Sequence, residues 1–301
     1  MANGSIINFG GIGQLAKPVE KLIEKVAGAA GVLYEPTRIR RKAQAEAEAR
    51  EIEVRSMIST DRLLTQAQIE NRELAKRALT RFVQEETRAQ QNMEDVLEGA
   101  TKYLKEDAEP EKMEDDWVTH FFNKCRGVSN KEMQDLWSKV LAGEANYAGS
   151  FSKRTVEFIS TVSKSEAEAF TRLCHHTWTI QSRAVPLVLD WSSGICKTNG
   201  INFDILTNLD SLGLIHFNNI TGYVLQELPI FVLASYFDDV FQLTIPNDKK
   251  RQLEIGRVLF SSMGLELLSV TQCTRVEGIV EQVLGYWAKQ GYVAACPWPK
   301  A

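Results

Sequence analysis

Several features that mark secreted, membrane-spanning or disulfide-bonded proteins are missing from the sequence. The five cysteines, at positions 125, 174, 196, 273 and 296, form no CxxC pair and share no regular spacing. This pattern indicates free thiols in a reducing compartment rather than a disulfide framework. No apolar run is long enough to cross a bilayer, and the first residues lack the basic region of a secretory signal. We therefore expect a cytoplasmic protein.

Recognisable catalytic, cofactor-binding and metal-binding motifs are also missing. Residues 11–16 have the Gly-x-Gly-x-x-Ala spacing of a dinucleotide-binding turn, but Pro18 follows within the first helical turns and no further βα units come after it. Residues 174–176, Cys-His-His, are the one cluster of metal-capable side chains. Neighbouring helical residues point about 100° apart, so these three do not face one ion. We expect no enzymatic activity, no cofactor and no bound metal.

Neither sign of charge is in excess, and one long stretch lacks both glycine and proline. Lys and Arg total 35 against 39 for Asp and Glu, a net charge of -4 that does not favour wrapping of nucleic acid. No Gly occurs from Tyr34 until Gly99, and no Pro between Pro36 and Pro110. Residues 36–109 are therefore predicted to form one long helix, or two in tandem, with coiled-coil-like character. Such a rod is roughly 100 Å long, so its own chain cannot cover most of it, and the rod either finds partners or stays solvated.

The apolar residues of the rod recur at mixed spacings, which favours an irregular helical hairpin or bundle over a regular coiled coil. Residues 59–61 offer helix-capping side chains and would bend the rod into a hairpin. Residues 1–35 combine a Gly-rich start with a short amphipathic helix. We predict that oligomerisation uses apolar positions of both elements, namely Leu15, Leu22, Ile23, Val26, Leu63, Leu64, Leu74 and Phe82. Packing within the chain and, for residues 12–34, an interfacial membrane helix are the alternatives.

Two basic clusters are candidates for contact with phosphate, either of lipid head groups or of nucleic acid. The first follows the break at Pro36 and consists of Arg38, Arg40, Arg41 and Lys42. The second consists of Lys249, Lys250 and Arg251. A solvated helix face is the alternative for the first cluster, and nearby acidic residues dilute the second.

Residues 110–183 are predicted to form a compact domain of four capped amphipathic helices. Capping residues at 129–130 start the second helix, and Ser163 starts the fourth. Gly143 is expected to end the second helix, because glycine commonly follows the last helical residue. The fourth helix is expected to extend as far as Trp178.

Residues 184–301 are predicted to form a small α+β domain of winged-helix-like character. Residues 203–213 have the pattern of a helix closed by glycine, and alternating apolar residues on both sides of a turn at 246–250 predict a β-hairpin. Residues 259–267 resemble the strand-to-helix step of winged-helix-like modules. Many such modules bind DNA, and the second basic cluster would then contact phosphate from the hairpin. The acidic residues nearby favour contact with protein instead.

Several motifs resemble an uncharacterised bacterial family, a domain of unknown function. They are an Asp-Trp helix at 116–117, a Leu-Trp…Leu-Ala-Gly-Glu helix at 136–144 and a Ser-Phe-Ser…Arg-Thr helix start at 150–155. The patterns Lys17-Pro18 and Tyr34-x-Pro36-x-x-Ile39-x-Arg41 and the Ala/Glu-rich helix are similar to the same family. The resemblance covers most of the chain. It implies a soluble bacterial protein from a mobile-element or phage-defence setting, and it implies no activity.

These patterns together predict a mainly α protein with a long N-terminal helical rod or hairpin, a central four-helix domain and a C-terminal winged-helix-like module. The leading hypothesis is a non-enzymatic, homo-oligomeric interaction or scaffold protein that self-assembles through its N-terminal helix and rod. Its C-terminal modules would bind an unidentified protein partner. One alternative is a peripheral membrane effector that uses residues 12–34 and the first basic cluster. The other is a winged-helix nucleic-acid binder that uses the second cluster.

Overall fold

The structure divides the chain into two compact units. It is a computed structural model that describes residues 16–31, 66–246 and 250–295. The boundary between the units falls between Ser160 and Thr161. The first unit is helical where it is described, and the second combines strands with helices.

The described part of the first unit is built from α-helices and one short 3-10 helix at Pro110–Lys112. The α-helices are α1 (Ala16–Ala30), α2 (Gln66–Thr101), α3 (Asp115–Cys125), α4 (Lys131–Asn146) and α5 (Lys153–Thr161). The side chain of Asn130 accepts a hydrogen bond from the backbone N–H of Met133 at 3.1 Å, which confirms the predicted start of α4. This helix continues through Gly143 to Asn146, so its predicted end at Gly143 is wrong.

The helix α2 runs uninterrupted for 36 residues, as the lack of proline in this stretch predicts. The predicted bend at 59–61 lies outside the described residues. The C-terminal half of α2 packs against α4, and Val96, Leu97 and Ala100 are buried there. Gly99 marks a close approach of the two helices, because a Cβ atom at this position would lie 2.3 Å from Oγ of Ser138 on α4. The glycine of α2 is therefore a packing residue.

A buried carboxylate holds the loop between α4 and α5. Glu144 is 2% exposed, and its two oxygens accept hydrogen bonds from the N–H groups of Gly149 at 2.7 Å and Phe151 at 2.9 Å. Burial raises the pKa of the Glu144 carboxyl, and these N–H groups oppose that rise. The indole N–H of Trp117 donates to the carbonyl of Phe151 at 2.6 Å. Gly143 leaves room for the Phe151 ring, since a Cβ atom there would lie 2.6 Å from Cε2.

The second unit alternates short helices with short strands. Its helices are α6 (Lys164–Cys174), α7 (Gly194–Thr198), α8 (Phe203–Ser211), α9 (Ser262–Leu268) and α10 (Ile279–Lys289). Its strands are β1 (Thr177–Ile180), β2 (Arg183–Pro186), β3 (Ile215–Phe217), β4 (Tyr223–Leu225), β5 (Phe231–Tyr236), β6 (Asp239–Thr244), β7 (Leu253–Gly256), β8 (Val258–Phe260) and β9 (Val293–Ala295). Ser163 starts α6 in a capping box with Glu166, as predicted.

Five strands form one antiparallel sheet in the order β2-β1-β5-β6-β9. Two-residue turns at 181–182 and 237–238 join β1 to β2 and β5 to β6. The indole of Trp178 lies on the covered face of this sheet, 5.1 Å from the ring of Tyr236 and 5.8 Å from the ring of Trp287 on α10. The pairs β3–β8 and β4–β7 form two smaller sheets.

The predicted fold class, mainly α with a winged-helix-like module, is wrong. The second unit is built around a five-stranded antiparallel sheet, so the chain is an α+β protein. The strands on either side of the predicted turn at 246–250 do not pair with each other, because β6 pairs with β5 and β9 whereas β7 pairs with β4. Trp178 lies in β1 rather than in a helix, since α6 ends at Cys174. The steps from α8 to β3 and from β8 to α9 are confirmed.

Replacing Glu144 by alanine is expected to destabilise the first unit. The change removes the acceptor of the buried N–H of Phe151 and of the N–H of the exposed Gly149, and a buried donor left without an acceptor costs about 1–3 kcal/mol. Glu144→Gln keeps one carbonyl oxygen as an acceptor, so its cost is expected to be smaller. Urea unfolding followed by circular dichroism measures the stability of both variants. The control is Glu106→Ala, a change at an exposed position. Equal midpoints for Glu144→Ala and Glu106→Ala would contradict the structural role of Glu144.

Candidate interaction surfaces

The N-terminal half of α2 carries an exposed apolar stripe. The apolar stripe consists of Leu74, Ala75, Ala78, Leu79, Phe82 and Val83. Leu74 and Phe82 are each 58% exposed, and Leu79 is 47% exposed. At 3.6 residues per turn these positions share one half of the helix surface. The stripe therefore leaves large apolar side chains in water on one side of a regular helix.

The other side of the same helix segment is polar. It carries Glu73, Lys76, Arg77, Thr80, Arg81 and Gln84. Arg81 also forms an ion pair with Glu85 at 3.6 Å. Further along α2, the face of the stripe continues into Ala89, Val96 and Ala100, which are buried inside the first unit. The apolar stripe is thus the uncovered continuation of a face that the chain covers elsewhere.

The predicted oligomerisation residues of α1 lie inside the first unit. Leu22 and Val26 are completely buried, and Ile23 is half-buried. This face of α1 packs against α3 and the 3-10 helix, and Lys25 reaches Asp115 at the start of α3 at 2.5 Å. The chain therefore covers this face by itself. The remaining predicted residues Leu15, Leu63 and Leu64 lie outside the described residues.

The main sheet of the second unit has one covered face and one exposed face. Side chains alternate along each strand, so the neighbours of core residues point to the opposite face. We name this opposite side the bare face. It carries Thr177, Thr179, Ala184, Phe231, Leu233, Ser235, Val240, Gln242, Thr244, Val293 and Ala295, whereas Pro186 on the same side of β2 is buried. None of these side chains is charged, and Phe231, Leu233 and Val293 are 57%, 54% and 63% exposed.

The structure describes the two predicted basic clusters only in part. Residues 38–42 and Lys249 lie outside the described residues. Lys250 and Arg251 are exposed. The Nε atom of Arg251 donates to the carbonyl of Leu228 at 2.6 Å, and the N–H of Leu228 donates to the carbonyl of Arg251 at 3.0 Å. Arg251 thus holds a local backbone contact, and its role in phosphate binding stays a prediction.

The adjacent residues Cys174, His175 and His176 connect α6 to β1. Cys174 and His176 are buried, whereas Nδ1 of His175 accepts a hydrogen bond from the N–H of Thr274 at 3.1 Å. Burial, with a smaller effect of His175, lowers the pKa of His176 to about 4. The Nε2 atom of His176 has no hydrogen-bond partner among the described residues. No group of three metal-capable side chains was found in the described ranges.

The fold and the surfaces define an α+β protein with an exposed apolar surface on each of its two units. The chain belongs to the family described as "Protein of unknown function (DUF2806)", whose profile matches residues 76–283. This membership confirms the resemblance to a domain-of-unknown-function family. No curated protein and no solved structure matches the chain. Within the ranges that the structure describes, every helix is too short or too polar to span a bilayer.

The predicted sites overlap the two exposed surfaces only partly. Leu74 and Phe82 lie on the apolar stripe, whereas the bare face has no counterpart among the predicted residues. Its sequence signal is weak, because Phe231 and Leu233 flank the buried Val232 in one continuous apolar run. Such a run does not indicate which of its residues face outwards.

The buried His176 is expected to make the second unit sensitive to acid. The pKa of histidine is about 6.5 in an unfolded chain and about 4 for folded His176. Between these values the unfolded state binds a proton that the folded state does not bind, so stability falls as the pH decreases through this window. The expected loss from pH 7 to pH 5 is about 2 kcal/mol.

Thermal unfolding at pH 7 and pH 5 measures this loss in the parent and in two variants. His176→Phe removes the buried titrating group and is expected to unfold with a smaller dependence on pH. His216→Asn, at an exposed position, is the control and is expected to keep the parent's dependence. A His176→Phe variant as acid-sensitive as the parent would show that another group causes the effect.

Proposed function

We propose that this protein is a non-enzymatic, homo-oligomeric interaction protein that self-associates through the apolar stripe of α2. The observation that carries the proposal is the exposure of Leu74, Leu79 and Phe82 on a helix whose opposite side is polar. In this proposal the second unit binds a protein partner, and the assembly presents several copies of it. The free thiols of the four described cysteines support a cytoplasmic location as part of the proposal.

The physical reason for self-association is the apolar area that the stripe leaves in water. Burying the remaining exposed part of each large side chain contributes about 1 kcal/mol, and both copies gain this in a symmetric contact. Helices pack with their axes about 8–10 Å apart, which small residues such as Ala75 and Ala78 allow. The polar side of α2 stays solvated in such a contact. Two copies of the stripe therefore form a contact without burying a charge.

The alternatives have less support from the described residues. A peripheral membrane effector requires a free apolar face on α1, but Leu22 and Val26 are already buried inside the first unit. Nucleic-acid binding through residues 249–251 has no observation in its favour beyond the two exposed basic residues. A setting in bacterial phage defence is supported by the motif resemblance alone and remains part of the proposal.

Negative charge on the apolar stripe is expected to dissociate the oligomer. The double variant Leu74→Glu, Phe82→Glu would bury carboxylates without partners, at a cost of several kcal/mol. Light-scattering chromatography of the full chain is expected to give a multiple of 33.9 kDa for the parent and 33.9 kDa for this variant. The matched control Thr80→Glu, Gln84→Glu adds the same charge on the polar side and is expected to keep the parent's mass.

Two results would refute the proposal. One is a parent chain that remains monomeric across micromolar concentrations. The other is a stripe variant that has the parent's mass although its circular dichroism spectrum shows a normal fold.

A further inference from the structure

We propose that residues 296–301, Cys-Pro-Trp-Pro-Lys-Ala, fold across the bare face of the five-stranded sheet and place the indole of Trp298 on Leu233. We name these residues the strap. The contact lies within one copy of the second unit, so it goes beyond the proposed function and does not depend on it. A docked strap closes the bare face, and any other molecule that binds there has to displace Trp298.

The strap begins at the edge of the bare face. The structure describes the chain as far as Ala295, where β9 ends, and the side chains of Val293 and Ala295 belong to this face. Ala295 pairs with Gln242 on β6, and Gln242 pairs with Leu233 on β5. These three residues therefore form one row across the sheet, and the row leads from the start of the strap to Leu233.

The strap is long enough to reach Leu233. Neighbouring strands lie about 4.8 Å apart, so β5 is about 10 Å from β9. Trp298 follows Ala295 by three residues, which extend over at most about 10 Å, and the long side chain of Trp298 adds to this reach. The indole can therefore lie over Leu233 while the backbone of the strap crosses β6.

The two prolines of the strap favour a path that leaves the strand ladder. In the described residues, the pairing of β6 with β9 covers only Gln242–Thr244. Proline has no N–H to donate to a ladder, and Pro297 and Pro299 occupy alternate positions after β9. A proline also keeps the residue before it extended, which applies to Cys296 and Trp298. The strap is therefore expected to leave the edge of the sheet as a short extended segment.

The bare face offers the exposed apolar surface within this reach. On the covered face the core is complete, and Trp287 there is 0% exposed, so that side has no room for another indole. Phe237 is 45% exposed, but it lies five positions along the chain from Gln242, roughly 15 Å away. Leu233 is 54% exposed, and its strand is separated from β9 by β6 alone. Leu233 is therefore the better partner for Trp298.

The size of the bare face matches a short segment better than the surface of another protein. Five strands about 4.8 Å apart span about 20 Å, and a six-residue strand is about 20 Å long, which gives roughly 400 Å². A tryptophan alone buries about 150–250 Å². A typical stable interface between proteins needs about 800 Å² on each partner. A tethered segment also avoids the entropy cost of bringing two molecules together, so this smaller area is sufficient for it.

Thiol labelling of the full chain measures whether the strap covers Leu233. Leu233→Cys places a thiol under the expected position of the indole, and mass spectrometry of the peptide with residue 233 follows its reaction with N-ethylmaleimide. Adding Trp298→Ala is expected to speed this reaction about tenfold, because a segment docked about nine tenths of the time leaves the thiol open for about one tenth. Equal rates with and without Trp298 would overturn the proposal.

Two controls separate the strap from other causes of protection. Leu265→Cys on α9 replaces a side chain that is 45% exposed outside the bare face, and Trp298→Ala is expected to leave its labelling unchanged. Lys300→Ala alters the strap without removing the indole, so it is expected to keep the protection of Leu233→Cys. Protection that is lost on dilution would show that a second copy covers the face, and this result would also overturn the strap contact.

A double-mutant cycle measures the same contact without a label. Leu233→Ala and Trp298→Ala are each expected to lower the unfolding temperature of the second unit by about 2–4 °C. The double variant is expected to lose no more than either single variant, because both changes remove the same contact. Fully additive losses, in variants whose circular dichroism spectra show a normal fold, would contradict the contact between Trp298 and Leu233.

The failure of this inference is distinguishable from the failure of the proposed function. A monomeric parent chain would refute self-association through the apolar stripe, and the labelling of Leu233→Cys would still report on the strap. An oligomeric parent in which Trp298→Ala does not change that labelling would overturn the strap contact alone.

Discussion

The ring contacts of Trp178 fix the register of the central strands in the second unit. The indole lies 5.1 Å from the ring of Tyr236, 5.8 Å from that of Phe241 and 5.8 Å from that of Trp287 on α10. A shift of one residue in β1 would turn the indole to solvent and bring threonines against α10. The same alternation turns Leu233 away from the core. The bare face is therefore a direct consequence of how the covered face is filled.

The helices and their starts were predictable because the signals are local. Asn130 and Ser163 cap α4 and α6 with side chains that bond to N–H groups three residues ahead, and this chemistry is visible in the sequence. Gly143 shows the limit of such reasoning. Its position suggested a helix end, but the glycine is required by the ring of Phe151, which approaches from a later loop. A contact of this kind depends on tertiary structure and leaves no periodic signal.

The sheet was not predictable because its turns lack the usual residues. Two-residue hairpin turns usually contain glycine or asparagine, which adopt positive φ without strain. Here Gln181 and Ser182 have φ values of 48° and 66°, and Phe237 has a φ of 50°. These side chains give no turn signal, so β1, β2 and β5 were not predicted, although apolar alternation before residue 246 did indicate the strand β6. In addition, β6 pairs with β9 rather than with the following strand β7. Local sequence patterns do not indicate which of two distant strands will pair.

Periodicity predicted which residues form the apolar faces of helices, but not which of these faces are exposed. Spacing identified Leu74 and Phe82, and equally Leu22 and Val26, as apolar positions on helical faces. Spacing did not indicate that α3 and the 3-10 helix cover Leu22 and Val26. It also did not indicate that Leu74 and Phe82 remain exposed. Whether an apolar face is covered depends on the path of the whole chain.

The short strand β9 also has a consequence for biosynthesis. Its residues Val293–Ala295 pair with Gln242–Thr244, roughly fifty positions earlier, so the sheet remains open while the intervening chain is made. Domains generally fold from the N-terminal side during translation, so the first unit is complete before β9 leaves the ribosome. A chain truncated before β9 would present the free edge of β6 to other nascent chains. The three residues of β9 therefore decide whether β6 is an inner strand or an edge strand of the sheet.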